Sequence, residues 1–153
     1  MDAWNTTYVG IIPQEYLQSR TYEEQQEKWR KRLFENNDTK EFMFVLENDD
    51  KQVVGFSTAM VNDKPSEIDS TLYTIYIDKD YQGKGLGKIL IKAVMSELCS
   101  LGAKSMSLAA LAENNSCKFY EHLGGKKVSE KIIDIYGAEL IEVLYVWDDI
   151  ASL

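Results

Sequence analysis

The chain has 153 residues and a formal net charge of −8, which suits one domain with one core and argues against non-specific nucleic-acid binding, since that needs Lys and Arg to neutralise phosphates. No run of about 18 apolar residues could span a membrane. The start, Met1-Asp2-Ala3-Trp4-Asn5-Thr6-Thr7, has neither the basic end nor the apolar core of a secretory signal, so the expected location is the cytoplasm. An acidic surface keeps a protein soluble, which is the first reading of the charge, and attraction of cationic partners such as amines is the second. Cys99 and Cys117 make no disulfide framework. Both fall inside helical patterns, where cysteine packs as a small hydrophobe.

In chain order, a short apolar and aromatic segment (Trp4, Tyr8, Ile11, Ile12, Pro13) precedes Thr21-Tyr22-Glu23-Glu24. That tetrapeptide reads as a capping box for a helix running to about Phe34, with Trp29 and Leu33 on one face. Glu41 to Leu46 and Val53 to Val61 read as a hairpin around the turn Asn48-Asp49-Asp50-Lys51. A polar loop with Pro65 follows. Leu72 to Ile77 is rich in β-branched and aromatic residues, the composition of a buried strand. Asp78 to Gly87 is a glycine-rich loop. Ile89 to Leu101 carries Leu90, Val94, Leu98 and Leu101 at helical spacing, and Gly102 stands where a helix ends in a left-handed residue. Lys104 to Leu111 is the next strand, so strand, loop, helix and strand form a parallel βαβ unit. Asn114 or Asn115 caps a short helix through Leu123, which Gly124 ends. Val128 to Ile135 and Leu140 to Trp147 close the chain as a hairpin around Gly137. The sum is a single α/β domain, 1–153, with a mixed sheet.

Tyr81-Gln82-Gly83-Lys84-Gly85-Leu86-Gly87-Lys88 is the segment that speaks to chemistry. Three alternate glycines let backbone approach a ligand closely. A helix follows at once, and its first N–H groups and the positive end of its dipole suit phosphate. Lys84 and Lys88 add charge. A P-loop requires Ser or Thr after the lysine, but Ile89 follows Lys88. A dinucleotide fingerprint requires G-x-G-x-x-G, and these glycines run G-x-G-x-G. The pattern Q/R-x-x-G-x-G/A fits Gln82 to Gly87 without a gap. On the loop alone, a glycine turn that caps a helix and binds nothing stays open.

A second segment lies downstream: Asn114-Asn115-Ser116-Cys117-Lys118-Phe119-Tyr120-Glu121-His122-Leu123-Gly124-Gly125. With the loop, it resembles the GNAT superfamily of acetyl-CoA-dependent N-acetyltransferases, in which Q/R-x-x-G-x-G/A holds the pyrophosphate of acetyl-CoA. The ending around Tyr145, Trp147 and Asp148 and the start Trp4-x-x-Thr7-Tyr8-x-Gly10-Ile11-Ile12-Pro13 look like a bacterial subgroup, so the resemblance covers essentially the whole chain. It implies a mixed, mostly antiparallel sheet, flanked by helices, whose central parallel strand pair splays at the acetyl-CoA site. The resemblance also implies a strand ahead of the part matching Ala3-Trp4, which this chain is expected to lack. A shortened reading of the gene, a shortened chain and a real variant each explain that. An exposed sheet edge would follow, and unpaired edges recruit other chains, so a homodimer is expected.

The resemblance implies direct transfer of an acetyl group to a primary amine of a small molecule or peptide, with acetyl-CoA as co-substrate and no metal. It implies that Ile75, Tyr76 and Ile77 offer free backbone groups to the pantetheine, and that Gln82, Gly83, Lys84, Gly85, Leu86, Gly87 and Lys88 hold the pyrophosphate. Tyr120 is the expected general acid at the sulfur, with core packing beside Phe119 as its other reading. Asn114 and Ser116 are expected to bond CoA, or to cap the helix, or both. Relatives carry a glutamate early in the strand matching Leu72 to Ile77. Thr71 and Tyr73 stand there, so Glu67, just upstream with Asp69, is the candidate base. Tyr8 and Tyr73 are candidates for the acceptor site. His122, the single histidine, is expected to face solvent and makes no metal site. The alternative reading is a non-catalytic acyl-CoA-binding module that regulates or binds a partner.

Overall fold

The structure, a computed structural model, describes residues 41–63 and 67–152. The opening apolar segment, the capping box at Thr21, the helix to Phe34, Pro65 and Tyr8 lie outside the described residues.

Two strands begin the described part, β1 (Glu41–Glu47) and β2 (Val53–Val61), paired antiparallel. Their turn is tied by Asn48, whose Oδ1 accepts the N–H groups of Asp50 and Gln52 at 3.0 Å each, the local bonding that makes asparagine a turn residue. β3 (Ser70–Ile77) pairs antiparallel with β2. A single 3₁₀ turn, Lys79–Tyr81, then leads into α1 (Leu86–Ser100). β4 (Met106–Leu111) and α2 (Cys117–His122) follow, and β5 (Lys126–Ile135) and β6 (Ala138–Trp147) close the sheet. The six strands stand in the order β1-β2-β3-β4-β6-β5. Every pair is antiparallel except β3 with β4, so the mixed, mostly antiparallel sheet with one central parallel pair is the observed architecture.

Several boundaries differ from those expected. α1 begins at Leu86 instead of Ile89, because Gly85 adopts φ 78 and turns the chain into the helix three residues sooner. β4 begins at Met106 instead of Lys104, because Lys104 and Ser105 spend their N–H groups on the Asp69 carboxylate instead of on a ladder. The last hairpin pairs from Lys126 and Ala138, through a turn in which Tyr136 and Gly137 both have positive φ, as a two-residue loop matching strand twist requires.

The core lies between α1 and the sheet. Leu90, Ile91, Val94 and Leu98 of α1 are buried with Ala59, Leu72, Met106, Leu108 and Tyr145. Leu101, expected on that face, is exposed, since it is the residue that caps the helix. Gly102 then takes φ 93, and the next residue returns a bond from Ala103 N to Leu98 O at 3.0 Å, closing the last turn. Cys117 is buried, its thiol directed at the Leu111 carbonyl at 3.3 Å, and Cys99 packs against the core.

Candidate active site

β3 and β4 run side by side for one register pair, Thr71 with Ser107, and then part. The closed end of this V is held by side chains. The Asp69 carboxylate accepts Lys104 N at 2.9 Å and Ser105 N at 3.3 Å, Asp69 N donates to Ser105 Oγ at 2.9 Å, and Ser70 Oγ donates to Ser105 O at 2.7 Å. The Lys104 N–H above all, with the Ser105 bonds, holds the Asp69 carboxyl below the usual carboxylate range against the opposing effect of burial. Asp69 is therefore an anchor. Its Oδ2 is committed to two backbone N–H groups and its basicity is lowered, which makes it a poor proton acceptor.

The open end is a cleft of about 690 Å³, walled by β3 from Tyr73 to Ile77, by β4 from Leu108 to Ala110, and by residues of the glycine loop and of α2. That volume is in the range of small-molecule sites. Backbone direction on β3 follows from one bond. Asp78 N donates to Val54 O of β2 at 2.9 Å, and in a strand successive residues direct their N–H and C=O groups to opposite edges. Tyr76 and Thr74 therefore bond toward β2, and Ile75 and Ile77 toward the cleft. Ile77 O is taken by Gln82 Nε2 at 2.9 Å, which ties the loop back to the strand. Tyr76 reaches the cleft as a lining residue, with its backbone turned to β2.

At the mouth, Gly83 and Gly85 take φ 74 and 78, and a Cβ built on either would meet none of the other described residues within 4 Å. Such a side chain would project into open space where the loop meets α1. The first backbone bond at this end is Ile89 N to Gly85 O at 3.3 Å, so Leu86, Gly87 and Lys88 begin the helix with N–H groups that have no carbonyl four residues back. Gly87 has a different task. A Cβ there would lie 3.1 Å from Phe119 Cζ, so its bareness lets α1 and α2 meet. A concave, glycine-surfaced loop with free amides at a helix N-terminus fits a pyrophosphate, and the parted strands fit an extended chain that bonds to backbone.

Of the residues singled out in the sequence, the structure brings Tyr73, Ile75, Tyr76, Ile77, Gln82, Gly83, Gly85, Leu86, Gly87, Asn114, Ser116 and Tyr120 to this cleft. Lys84 and Lys88 stand off its wall. Lys84 Nζ lies 5.2 Å from the centre of the Tyr81 ring, and Lys88 borders a smaller hollow of about 280 Å³ with Lys92 and His122. Exposed His122 faces solvent as expected. Glu67 is exposed on the loop before β3 and is not part of the cleft wall. Asn114 is buried, and its Oδ1 accepts Ser116 N at 2.9 Å. The helix itself starts after Ser116 with no side-chain bond capping it, so the capping reading of Asn114, Asn115 and Ser116 gives way to a turn that Asn114 ties ahead of the helix. Among the described residues no group of three or more His, Cys, Asp or Glu could hold a metal ion.

Sequence reasoning missed Thr74, Lys79, Tyr81, Asn115, Phe119 and the β4 wall, Leu108 to Ala110. The paired alanines Ala109 and Ala110 between Leu108 and Leu111 were the available signal, since small residues suit a strand that faces a ligand.

Tyr120 is both core and wall. It is 5% exposed, with its ring centre 5.7 Å from Phe119 and 5.9 Å from Tyr145. α2 is held to β6 so that this ring keeps its place. Trp147 Nε1 donates to Leu123 O at 2.9 Å, and Tyr145 OH donates to Glu121 Oε1 at 3.1 Å. Burial, then the neighbouring Cys117 and Glu121, push the Tyr145 phenol upward from its ordinary value. Gly125 completes the joint, because a Cβ there would lie 2.7 Å from Trp147 Cζ2.

Residues 7–125 match the family described as Acetyltransferase (GNAT) family. The chain is 31% identical to the uncharacterized N-acetyltransferase YuaI of Bacillus subtilis over 154 aligned positions, covering all of this chain and 86% of that one. It is 31% identical to the [ribosomal protein bS18]-alanine N-acetyltransferase of Escherichia coli over 98 positions, 63% of each chain. The fold is similar to a solved PaiA N-acetyltransferase from Thermoplasma acidophilum in complex with coenzyme A, with a TM-score of 0.63 and 19% identity over 93% of this chain and 85% of that one. With a family match that spans most of its length and a relative aligned from end to end, this chain belongs to the GNAT family of acetyltransferases.

Proposed function

We propose that the protein transfers an acetyl group from acetyl-CoA directly to a primary amine of a small molecule or peptide. The observation that carries this reading is the opening between β3 and β4 beside the glycine cradle at the start of α1, with Tyr120 on the same wall. When bound, acetyl-CoA supplies an electrophilic thioester carbonyl. In this reading the amides of Gly83 to Lys88 bind its pyrophosphate, and Ile75 and Ile77 bind its pantetheine through backbone groups. Asn114 and Ser116 bond it from the start of α2, and the Lys84 and Lys88 charges lie around the loop.

The amine nitrogen forms the new bond to the carbonyl carbon while the carbon–sulfur bond breaks. A backbone N–H of β3 stabilises the charge that develops on the carbonyl oxygen. The nitrogen gives up one proton to solvent, and the sulfur receives one from the Tyr120 hydroxyl, which solvent then restores. Holding both reactants in one cleft supplies much of the rate. A general base must stand within hydrogen-bond reach of the proton it takes, and exposed Glu67 stands outside the cleft wall. In this reading Glu67→Gln leaves the rate unchanged. Tyr73, exposed on β3 at the cleft, is the acceptor-side residue.

The test is free-thiol release from acetyl-CoA across a panel of polyamines, basic amino-acid derivatives and peptides with free N-termini. Amine-dependent release with equimolar acetylated product supports transfer. CoA binding without release on any amine would replace this reading with a non-catalytic acyl-CoA-binding module.

A further inference from the structure

β3 carries one irregularity, and two buried hydroxyls of β2 grip it. The pairing of β2 with β3 steps from Thr58↔Thr74 to Ala59↔Leu72, so Tyr73 is the extra residue of a bulge. A bulge disrupts the ladder locally and re-aims the strand beside it. Here the residue after the bulge is held twice. Ser57 Oγ donates to Thr74 O at 2.7 Å, and Thr58 Oγ1 and Thr74 Oγ1 lie 2.8 Å apart. Ser57 and Thr58 are both 0% exposed. Buried hydroxyls are costly to keep unless bonded, and these two spend their bonding on the same residue of the cleft wall.

The consequence follows from peptide geometry. In a planar trans peptide the C=O of one residue and the N–H of the next point in opposite directions. With Thr74 O drawn toward β2 by Ser57, the Ile75 N–H is turned the other way, toward β4 and the cleft that Ile75 lines. We propose that Ser57 and Thr58 are positioning residues for acetyl transfer: by holding the Thr74 carbonyl and hydroxyl they aim the Ile75 N–H at the thioester oxygen. The inference rests on the acetyl-transfer reading and goes beyond it by naming the donor and the side chains that set its direction.

The experiment compares ¹⁵N-labelled parent, Ser57→Ala, Ser57→Thr, Thr58→Val and Thr58→Ser. It reads the Ile75 amide shift with acetyl-CoA against CoA, together with kcat, KM, Kd for CoA and Tm. In the parent the Ile75 amide distinguishes acetyl-CoA from CoA. Ser57→Ala loses most of that difference and at least about tenfold in kcat, short of the roughly 10² to 10³ seen when an oxyanion donor is removed outright, with Kd for CoA little changed. Ser57→Thr and Thr58→Ser keep a hydroxyl and recover both readouts, and Thr58→Val moves in the direction of Ser57→Ala. A Ser57→Ala protein with the parental shift difference and parental kcat overturns the proposal. So does a folded Ser57→Thr that recovers neither readout. A purely structural role would lower Tm in Ser57→Ala and leave kcat and the shift difference intact. If Ser57→Ala does not fold, Ser57→Cys, of similar size and a weaker donor, is read in the same way. If the parent acetylates no amine, the proposed function falls by itself. The amide shift then decides alone, and an Ile75 amide blind to the acetyl group overturns the positioning role.

Discussion

Tyr120 shows how one side chain serves packing and chemistry together. Its ring is a member of the buried cluster, and the same residue lines the cleft. Tyr120→Phe keeps the ring and removes the hydroxyl. The expected result is a fall in kcat of about 10² to 10⁴, the usual worth of general-acid help, with Tm and CoA affinity near parental. Measured kcat over a pH range checks this, and parental turnover would return Tyr120 to the core alone. The glycines separate in the same manner. Gly85 and Gly102 both have left-handed φ, 78 and 93, and both have open space where a Cβ would go. Alanine at either position bears a left-handed strain of about 1 to 2 kcal/mol. The two variants should therefore lose similar melting temperature, while Gly85→Ala alone weakens CoA binding. Equal CoA affinity in both, by calorimetry, would remove the pyrophosphate from the loop. Glycine spacing is legible in sequence because left-handed backbone is a local steric matter. That Gly87 exists for Phe119 is not, since it depends on a contact across 32 positions of chain.

At the scale of elements, the V depends on how its closed end is fastened. One ladder pair joins β3 to β4, and the Asp69, Ser70 and Ser105 bonds do the rest. Asp69→Ala should loosen the splay, lowering Tm at pH 7 and weakening CoA binding. The pH dependence has a defined sign. Asp69 has a folded pKa depressed from 3.8, so its stabilisation is present above the unfolded value and is lost as pH falls through the folded one. The Tm gap between parent and Asp69→Ala should be constant at neutral pH and close below about pH 4. A gap that persists undiminished into strong acid would show that the carboxylate's charge is not what holds this end. Composition had located β3, and helical spacing α1, in the sequence. The splay was inferred there from resemblance, because nothing in a strand's own pattern states how many of its pairs survive.

For the whole molecule, a net charge of −8 is the ground for proposing a cationic acceptor, a polyamine or a basic amino-acid derivative. Steering by surface charge weakens with salt over a Debye length of about 8 to 10 Å. The ratio kcat/KM for the preferred amine should fall as ionic strength rises, and insensitivity to salt, or preference for a neutral or anionic amine, would remove the idea. Assembly is a separate matter. Of the two edges among the described residues, β5 carries Lys126, Lys127, Glu130, Lys131 and Asp134, charges that discourage strand addition. A homodimer, if sedimentation finds one, should survive charge reversal on β5.

Among the described residues, the sequence by itself determined where strands, helices and turns fall to within about three residues, and the parallel βαβ unit. Each of these follows from local rules, namely side-chain periodicity, helix-end chemistry and glycine's freedom. Only the tertiary structure decided that Asp69 is an anchor, that Tyr73 bulges, that Ser57 and Thr58 meet Thr74, and that Lys84 and Lys88 stand off the cleft wall. The hydrogen bonds of Asp69, Ser57 and Thr58 reach partners 16 to 36 positions away in the chain. No local pattern specifies which distant group a hydroxyl or carboxylate will meet once the strands have paired.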